Sequence, residues 1–134
     1  MRLFTLILLY CLVQADPPVI TEIQDPDKKE LIASIMSAED FTADDFSLRI
    51  HKKRNPYGSA GNDSGEITHS YFFVVSDNDD YPKESVFEIG EFYGPNIIAV
   101  REKDSLIEVD IEYFANLKKA VKTIFVRHHD VRFQ

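Results

Sequence analysis

Runs of alternating or continuous apolar residues between Ile67 and His128 organise this chain. They predict five antiparallel strands separated by turn-forming residues, over residues 67–76, 85–93, 96–103, 105–113 and 120–128. The continuous apolar run at 71–75 predicts the central and most buried strand, with Phe73 in the core. In the fourth strand an apolar set alternates with an acidic set, so we expect one buried face and one acidic face.

The region before these strands predicts one helix and one opening strand. Asp25 can cap a helix, and Pro26 suits the first helical position, where its missing N–H carries no penalty. Helical spacing relates the apolar residues that follow and predicts a helix ending near Ala38: Leu31, Ile32, Ile35 and Met36. From Phe46 to Ile50 apolar residues alternate with polar ones, which predicts a half-buried strand.

Glycine and proline mark the predicted connections. Gly94 and Pro95 predict a tight turn, and Gly90 inside the preceding strand indicates a bulge or a close backbone approach. Residues 55–65 are rich in turn formers and predict a mobile loop. Residues 114–126 fit either a helix or a turn followed by a strand, and the β-branched and aromatic residues at 123–126 favour the strand.

Together these elements predict an α+β fold, in which one N-terminal helix packs on a curved antiparallel β-meander of five or six strands. Phe73 is expected to face this helix or the closed side of the sheet, with Ile35 as its helical counterpart. A helix lying across the sheet and a cone-shaped sheet with a pocket both fit the pattern.

The first fifteen residues have the order of a secretory signal. Arg2 precedes an apolar run over 3–13, and the small-residue cleavage pattern ends at Ala15. The run is too short for a membrane span, which needs about 20 residues. We therefore expect residues 1–15 to be cleaved, leaving a single globular domain over 16–134 in the bacterial periplasm or the extracellular space. The only cysteine, Cys11, would leave with the signal, so no disulfide is expected.

Charge narrows the choice of partner. The chain has 15 basic and 23 acidic residues, a net charge of −8, and loss of Arg2 with the signal makes it −9. Such a protein repels phosphate backbones and anionic membranes, so nucleic acid and membrane are not expected partners. A basic protein partner or a cation is electrostatically more favourable.

Sequence motifs for catalysis or cofactor binding are missing. There is no glycine-rich phosphate loop, no paired-cysteine metal site and no nucleophile elbow, so we expect no cofactor and no enzymatic activity. His128 and His129 are adjacent, and on a strand their side chains would point to opposite faces, which argues against a shared metal. The acidic turn after Asp77 has Pro82 where an EF-hand loop needs glycine, so we predict a solvated turn.

Two functions fit these observations. The first is a secreted, non-enzymatic binding protein, such as an inhibitor or immunity-type protein for a basic partner. Its expected contact residues are exposed tyrosines and acidic turn residues: Tyr57, Asp77, Asp79, Asp80, Tyr81 and Tyr93. The alternative is a small-ligand-binding or hydrolytic domain with a pocket between helix and sheet, using His69, Glu88 and Glu108.

Overall fold

The computed structural model describes residues 24–27, 31, 35–56, 59 and 66–134. Each strand of a single antiparallel sheet pairs with the next strand in the chain, which makes a seven-stranded meander. The strands are β1 Ile35–Thr42, β2 Phe46–Arg54, β3 His69–Asp77, β4 Glu84–Lys103, β5 Leu106–Ala115, β6 Lys118–Arg127 and β7 Asp130–Phe133. The predicted signal peptide, residues 1–15, and Tyr57 lie outside the described residues.

The predicted α+β fold is wrong, because the described part of the chain is nearly all sheet and contains no helix packed on it. Ile35, the expected helical partner of Phe73, lies instead on edge strand β1 opposite Lys53 of β2. The backbone groups along the outer edge of β2 need hydrogen-bond partners, and β1 supplies them. Local helical spacing carries no information about that ladder, so tertiary pairing decides the conformation.

Several strands follow the predicted alternation. In β5 Ile107, Val109 and Ile111 are fully buried, and the acidic residues between them lie on the opposite face. Phe73 of β3 is also fully buried, as predicted. Residues 114–115 end β5, residues 116–117 form a turn, and residues 118–126 belong to β6, which confirms the strand interpretation over the helix.

Strand β4 differs from the prediction of two strands joined by a tight turn at Gly94 and Pro95. It is one strand of 20 residues, with its first half paired to β3 and its second half to β5. A straight strand of that length would extend about 66 Å. Asp44 N nevertheless donates to Asp104 O at 3.2 Å, so the chain after β4 returns to the turn that precedes β2. We conclude that β4 turns a corner near Gly94.

Gly90 permits a close approach at this part of β4, as its position in the strand predicted. Its φ is +141°, and an added Cβ would lie 2.9 Å from Ser70 Oγ and 3.1 Å from His69 O. Only glycine fits such a backbone without displacing β3.

The two halves of the meander share a single apolar core. Residues from both halves belong to it, including Leu48, Phe73, Val109 and Ile124. Hydrogen bonds join the β1–β2, β3–β4, β4–β5 and β6–β7 turns at one end of this core, which we call the turn end. The β2–β3 connection, the corner of β4 and the β5–β6 turn lie at the other end, which we call the loop end. Within the described residues, no helix has the length and hydropathy needed to cross a membrane.

Candidate functional site

The acidic β3–β4 turn presents three of the predicted contact residues to solvent. Asp79 and Asp80 are exposed, and Tyr81 is 93% exposed. Asp79 Oδ1 accepts a hydrogen bond from Tyr81 N at 2.9 Å, which gives the turn its local shape. Asn78 Nδ2 donates to Ala43 O at 3.2 Å and holds the turn against the β1–β2 turn.

Asp77 has a different environment from its neighbours in this turn. Its Oδ2 accepts a hydrogen bond from Lys83 N at 3.2 Å, which fixes the orientation of the carboxylate. Its Oδ1 accepts hydrogen bonds from His129 and His128. These two hydrogen bonds, His129 first, lower the pKa of Asp77 to about 2, so the carboxylate is ionised at neutral pH.

His128 and His129 form the two-residue turn between β6 and β7, where Arg127 pairs with Asp130. His129 has a φ of +53°, in the left-handed region. The expectation that the two side chains point to opposite faces applies to a strand, and this turn brings them to the same side. Their ring centroids are 4.4 Å apart.

Both imidazoles point their Nε2 atoms at the same oxygen of Asp77. For His129 this distance is 2.7 Å, and its other nitrogen, Nδ1, lies 2.7 Å from Ser85 Oγ. The ionised carboxylate only accepts hydrogen bonds, so each Nε2 carries its proton in this arrangement. We call Asp77, His128 and His129, with the supporting Ser85, the His–Asp cluster.

The connection Ser85–His129–Asp77 contains the residue types of a catalytic triad. A triad is a linear relay in which one imidazole joins the serine to the carboxylate. Here the Nε2 atoms of two imidazoles converge on one carboxylate oxygen, and one ligand atom from each of the three residues lies within 4.8 Å of the other two. Convergent nitrogen and oxygen donors are the arrangement of a metal-binding set rather than of a proton relay.

The loop end has a different chemistry, which we call the aromatic patch: Tyr93, Phe114 and Leu117. Tyr93 and Phe114 are paired across β4 and β5, with ring centroids 6.3 Å apart in an edge-on arrangement. They are 38% and 40% exposed, and Leu117 at the tip of the β5–β6 turn is 94% exposed. Gly94 allows this arrangement, since a Cβ there would lie 3.1 Å from the Phe114 ring.

Carboxylates border the aromatic patch. Tyr93 Oη donates to Glu66 Oε1 at 3.1 Å, and this hydrogen bond raises the pKa of Tyr93. A cavity of about 430 Å³ adjoins the patch, with Glu66 and Glu91 among its lining residues. Of the predicted contact residues that the structure describes, only Tyr93 lies here, at the opposite end of the core from the acidic turn. Phe114 and Leu117 were not predicted as contact residues. A leucine within a predicted turn nevertheless indicates an exposed apolar side chain, and Leu117 could have been identified in this way.

The residues of the alternative hydrolytic site are separated in the structure. Glu88 on β4 is 3.1 Å from Lys53 Nζ, and Glu108 on β5 is 2.9 Å from Arg101 Nε. His69 begins β3, and burial is the main cause of its lowered pKa. All three lie in the described part of the chain, and no hydrogen bond joins any two of them there.

Comparison with known proteins adds no relative: no family model, no curated protein and no solved structure matches this chain.

Proposed function

We propose that this protein is a secreted, non-enzymatic binding protein whose aromatic patch docks a basic protein partner. The observation that carries the proposal is the grouping of three exposed apolar side chains, Tyr93, Phe114 and Leu117, beside a cavity with carboxylates in its lining. The same features suit an inhibitor or immunity-type protein of the periplasm or the extracellular space.

The aromatic patch has the properties of an interface anchor. Burying a leucine fully contributes about 1.5–3 kcal/mol, and Leu117 is almost completely exposed in the isolated protein. Tyr93 is already oriented by its contact with Phe114 and its hydrogen bond to Glu66. Orientation before binding reduces the entropy lost on association, and tyrosine is a frequent hot-spot residue.

Charge favours a basic partner that inserts an apolar side chain. Glu66 and Glu91 line the cavity beside the patch, and the whole chain has a net charge of −8. The exposed carboxylates of Asp79 and Asp80 at the turn end extend the negative field over a second surface. That field would steer a cationic partner towards the protein and increase the association rate.

The alternative function, a small-ligand or hydrolytic site, has weaker support. Its carboxylates Glu88 and Glu108 are each bound to a cationic side chain on separate parts of the sheet. A hydrolytic pair must instead lie together on either side of a substrate bond.

The test is a measurement of binding to basic secreted proteins of the source organism by surface plasmon resonance. We compare the wild-type protein with Tyr93→Ala and Leu117→Ser, and include Tyr81→Ala to test the acidic turn, the other predicted contact surface. We expect Tyr93→Ala to weaken binding at least about 30-fold and Leu117→Ser about 10-fold, because each variant removes one anchor. Tyr81→Ala should change the affinity by less than about threefold.

Salt and self-association separate the competing outcomes. Binding should weaken as NaCl rises from 50 to 500 mM, because screening reduces the attraction between opposite charges. Binding that is insensitive to both patch variants would overturn the proposal. So would a concentration-dependent dimer, detected by analytical ultracentrifugation and abolished by Leu117→Ser, since the patch would then be occupied by a second copy.

A further inference from the structure

We propose that the His–Asp cluster is a binding site for a divalent transition metal of the Zn²⁺ type. The ligands would be Nε2 of His128, Nε2 of His129 and Oδ1 of Asp77, with a fourth position open to water or to another ligand. This site lies at the turn end and is independent of the aromatic patch proposed as the partner surface.

The distances between the donor atoms fit a tetrahedral ion. Zn²⁺ binds histidine nitrogen and carboxylate oxygen at about 2.0–2.2 Å, which places neighbouring ligand atoms about 3.4 Å apart. The three donor atoms all lie within 4.8 Å of one another, and Asp77 Oδ1 is 2.7 Å from His129 Nε2. Side-chain shifts of about 1 Å or less would therefore admit the ion.

Asp77 and His129, the two half-buried ligands, each make a further hydrogen bond through the atom that would not bind the metal. Asp77 Oδ2 accepts a hydrogen bond from Lys83 N, so Oδ1 is the oxygen directed at the histidines. Nδ1 of His129 lies 2.7 Å from Ser85 Oγ. When Nε2 binds a metal, the ring proton is on Nδ1, and the Ser85 hydroxyl oxygen can accept a hydrogen bond from it. Such an outer partner orients a metal-binding imidazole.

The backbone of the β6–β7 turn sets the direction of the His129 ring. His129 adopts a φ of +53°, a region that glycine enters at lower energetic cost. Asp104, Asn116 and Leu117, at the other tight turns of the sheet, also have positive φ values, so this conformation is a feature of the hairpins. Here the conformation directs the His129 ring towards Asp77, on the same side as the His128 ring.

The donor set selects the class of metal. Ca²⁺ and Mg²⁺ prefer sites built from oxygen, whereas imidazole nitrogen suits Zn²⁺, Cu²⁺ and Ni²⁺. The cluster offers two imidazoles and one carboxylate oxygen, because Lys83 N engages the second oxygen of Asp77. His129 and Asp77 are largely covered, while the His128 side chain is 46% exposed, so an ion could enter past His128.

A bound ion would connect two parts of the sheet that are distant in sequence. Asp77 ends β3 in the first half of the meander, and the histidines belong to the β6–β7 turn in the second half. Metal that binds the folded state and not the unfolded chain stabilises the fold by mass action. Thermal stability is therefore a readout of binding that needs no partner protein.

The experiment uses the purified protein, freed of metal with EDTA and exchanged into buffer without chelator. Isothermal titration with ZnCl₂ should give one ion per chain, and ZnCl₂ should raise the melting temperature. His128→Ala and His129→Asn should each weaken Zn²⁺ binding at least 100-fold, and asparagine tolerates the left-handed backbone at position 129. Ser85→Ala should weaken it about 10- to 100-fold, the usual effect of losing an outer partner.

The controls separate a built site from surface binding. His51→Gln removes a histidine of β2 outside the cluster and should leave Zn²⁺ affinity unchanged. CaCl₂ and MgCl₂ should not shift the melting temperature. If His129→Asn fails to fold by circular dichroism, His128→Ala decides the result, because the exposed His128 side chain contributes little to packing.

Two results would overturn the proposal: Zn²⁺ affinity that is the same in His128→Ala as in the wild type, or an equal thermal shift with CaCl₂. Either would mean that the ion binds elsewhere or nonspecifically. Neither result affects the proposed partner surface, which is tested by Tyr93→Ala and Leu117→Ser.

Discussion

Replacing Phe73 with alanine should be among the most damaging single changes in the sheet. Phe73 is fully buried in the middle of β3, opposite Ile50 of β2 and Phe87 of β4. Ladders on both sides restrain the backbone, so the surrounding structure can relax only partly into the space left by the ring. Truncating a buried phenylalanine costs about 3–5 kcal/mol, and we expect a value near 4 here.

The neighbouring residue provides a matched control. Phe72 has the same side chain on the same strand but points to the opposite face, where it is half-buried under Lys53 Nζ at 5.2 Å from the ring centroid. Because it loses less buried area, Phe72→Ala should cost about 1–2 kcal/mol. Asp79→Ala in the solvated turn should stay within about 0.5 kcal/mol.

Urea unfolding followed by far-UV circular dichroism measures all three variants, since the chain contains no tryptophan for fluorescence. A domain of this size holds about 5–15 kcal/mol in total, so the loss at Phe73 will shift the midpoint strongly. Equal destabilisation by Phe72→Ala and Phe73→Ala would refute the assignment of the two faces of β3. An effect of Phe73→Ala below about 1.5 kcal/mol would refute its place in the core.

Three further predictions concern backbone fit, buried polar groups and pH. Gly90→Ala should destabilise the protein by about 2 kcal/mol or more in urea unfolding, because the new Cβ would lie 2.9 Å from Ser70 Oγ and the φ of this residue is +141°. A neutral effect would contradict the close approach of β4 to β3. Asn55→Ala should cost about 1–3 kcal/mol, since Asn55 Nδ2 donates to the buried hydroxyls of Thr68 and Ser70 at 3.0 and 3.1 Å, and amide hydrogen exchange at the start of β3 should accelerate. Burial first, and a nearby carboxylate second, raise the pKa of Tyr71 to about 12, so the folded state favours the neutral phenol. The stability that this raised pKa gives to the fold should be constant below pH 10. It should be lost as pH rises from 10 to 12, by about 2 kcal/mol in all. Tyr71→Phe should flatten that loss, and an unchanged pH profile in this variant would assign the loss to other groups.

The positions of the buried side chains could be predicted from the sequence alone. In β5 the buried set Ile107, Val109 and Ile111 follows the two-residue period, because one face of the strand lies on the core and the other faces water. The same reasoning located Phe73, and it favoured a strand over a helix for most of 114–126. These features depend on local alternation, which each segment carries by itself.

Other features depend on contacts between distant segments. Ile35 and Met36 fit a helical spacing, but they belong to β1 because this segment pairs with the outer edge of β2. Considered locally, Gly94 and Pro95 predict a turn. They form a corner within one strand because β4 pairs with β3 on one side of them and with β5 on the other. β7 is four residues long and too short for a period to indicate it.

Both candidate sites were decided by tertiary structure. Tyr93 was expected as a contact residue, but its neighbours Phe114 and Leu117 come from a hairpin about 20 residues later, so sequence proximity did not indicate the patch. His128 and His129 converge on Asp77 because a turn with a positive φ replaces the expected strand end and because the meander brings that turn back to β3. The positive φ of His129 and the contact between Asp77 and a turn about 50 residues later both result from how the chain packs. Periodicity in the sequence does not encode either of them.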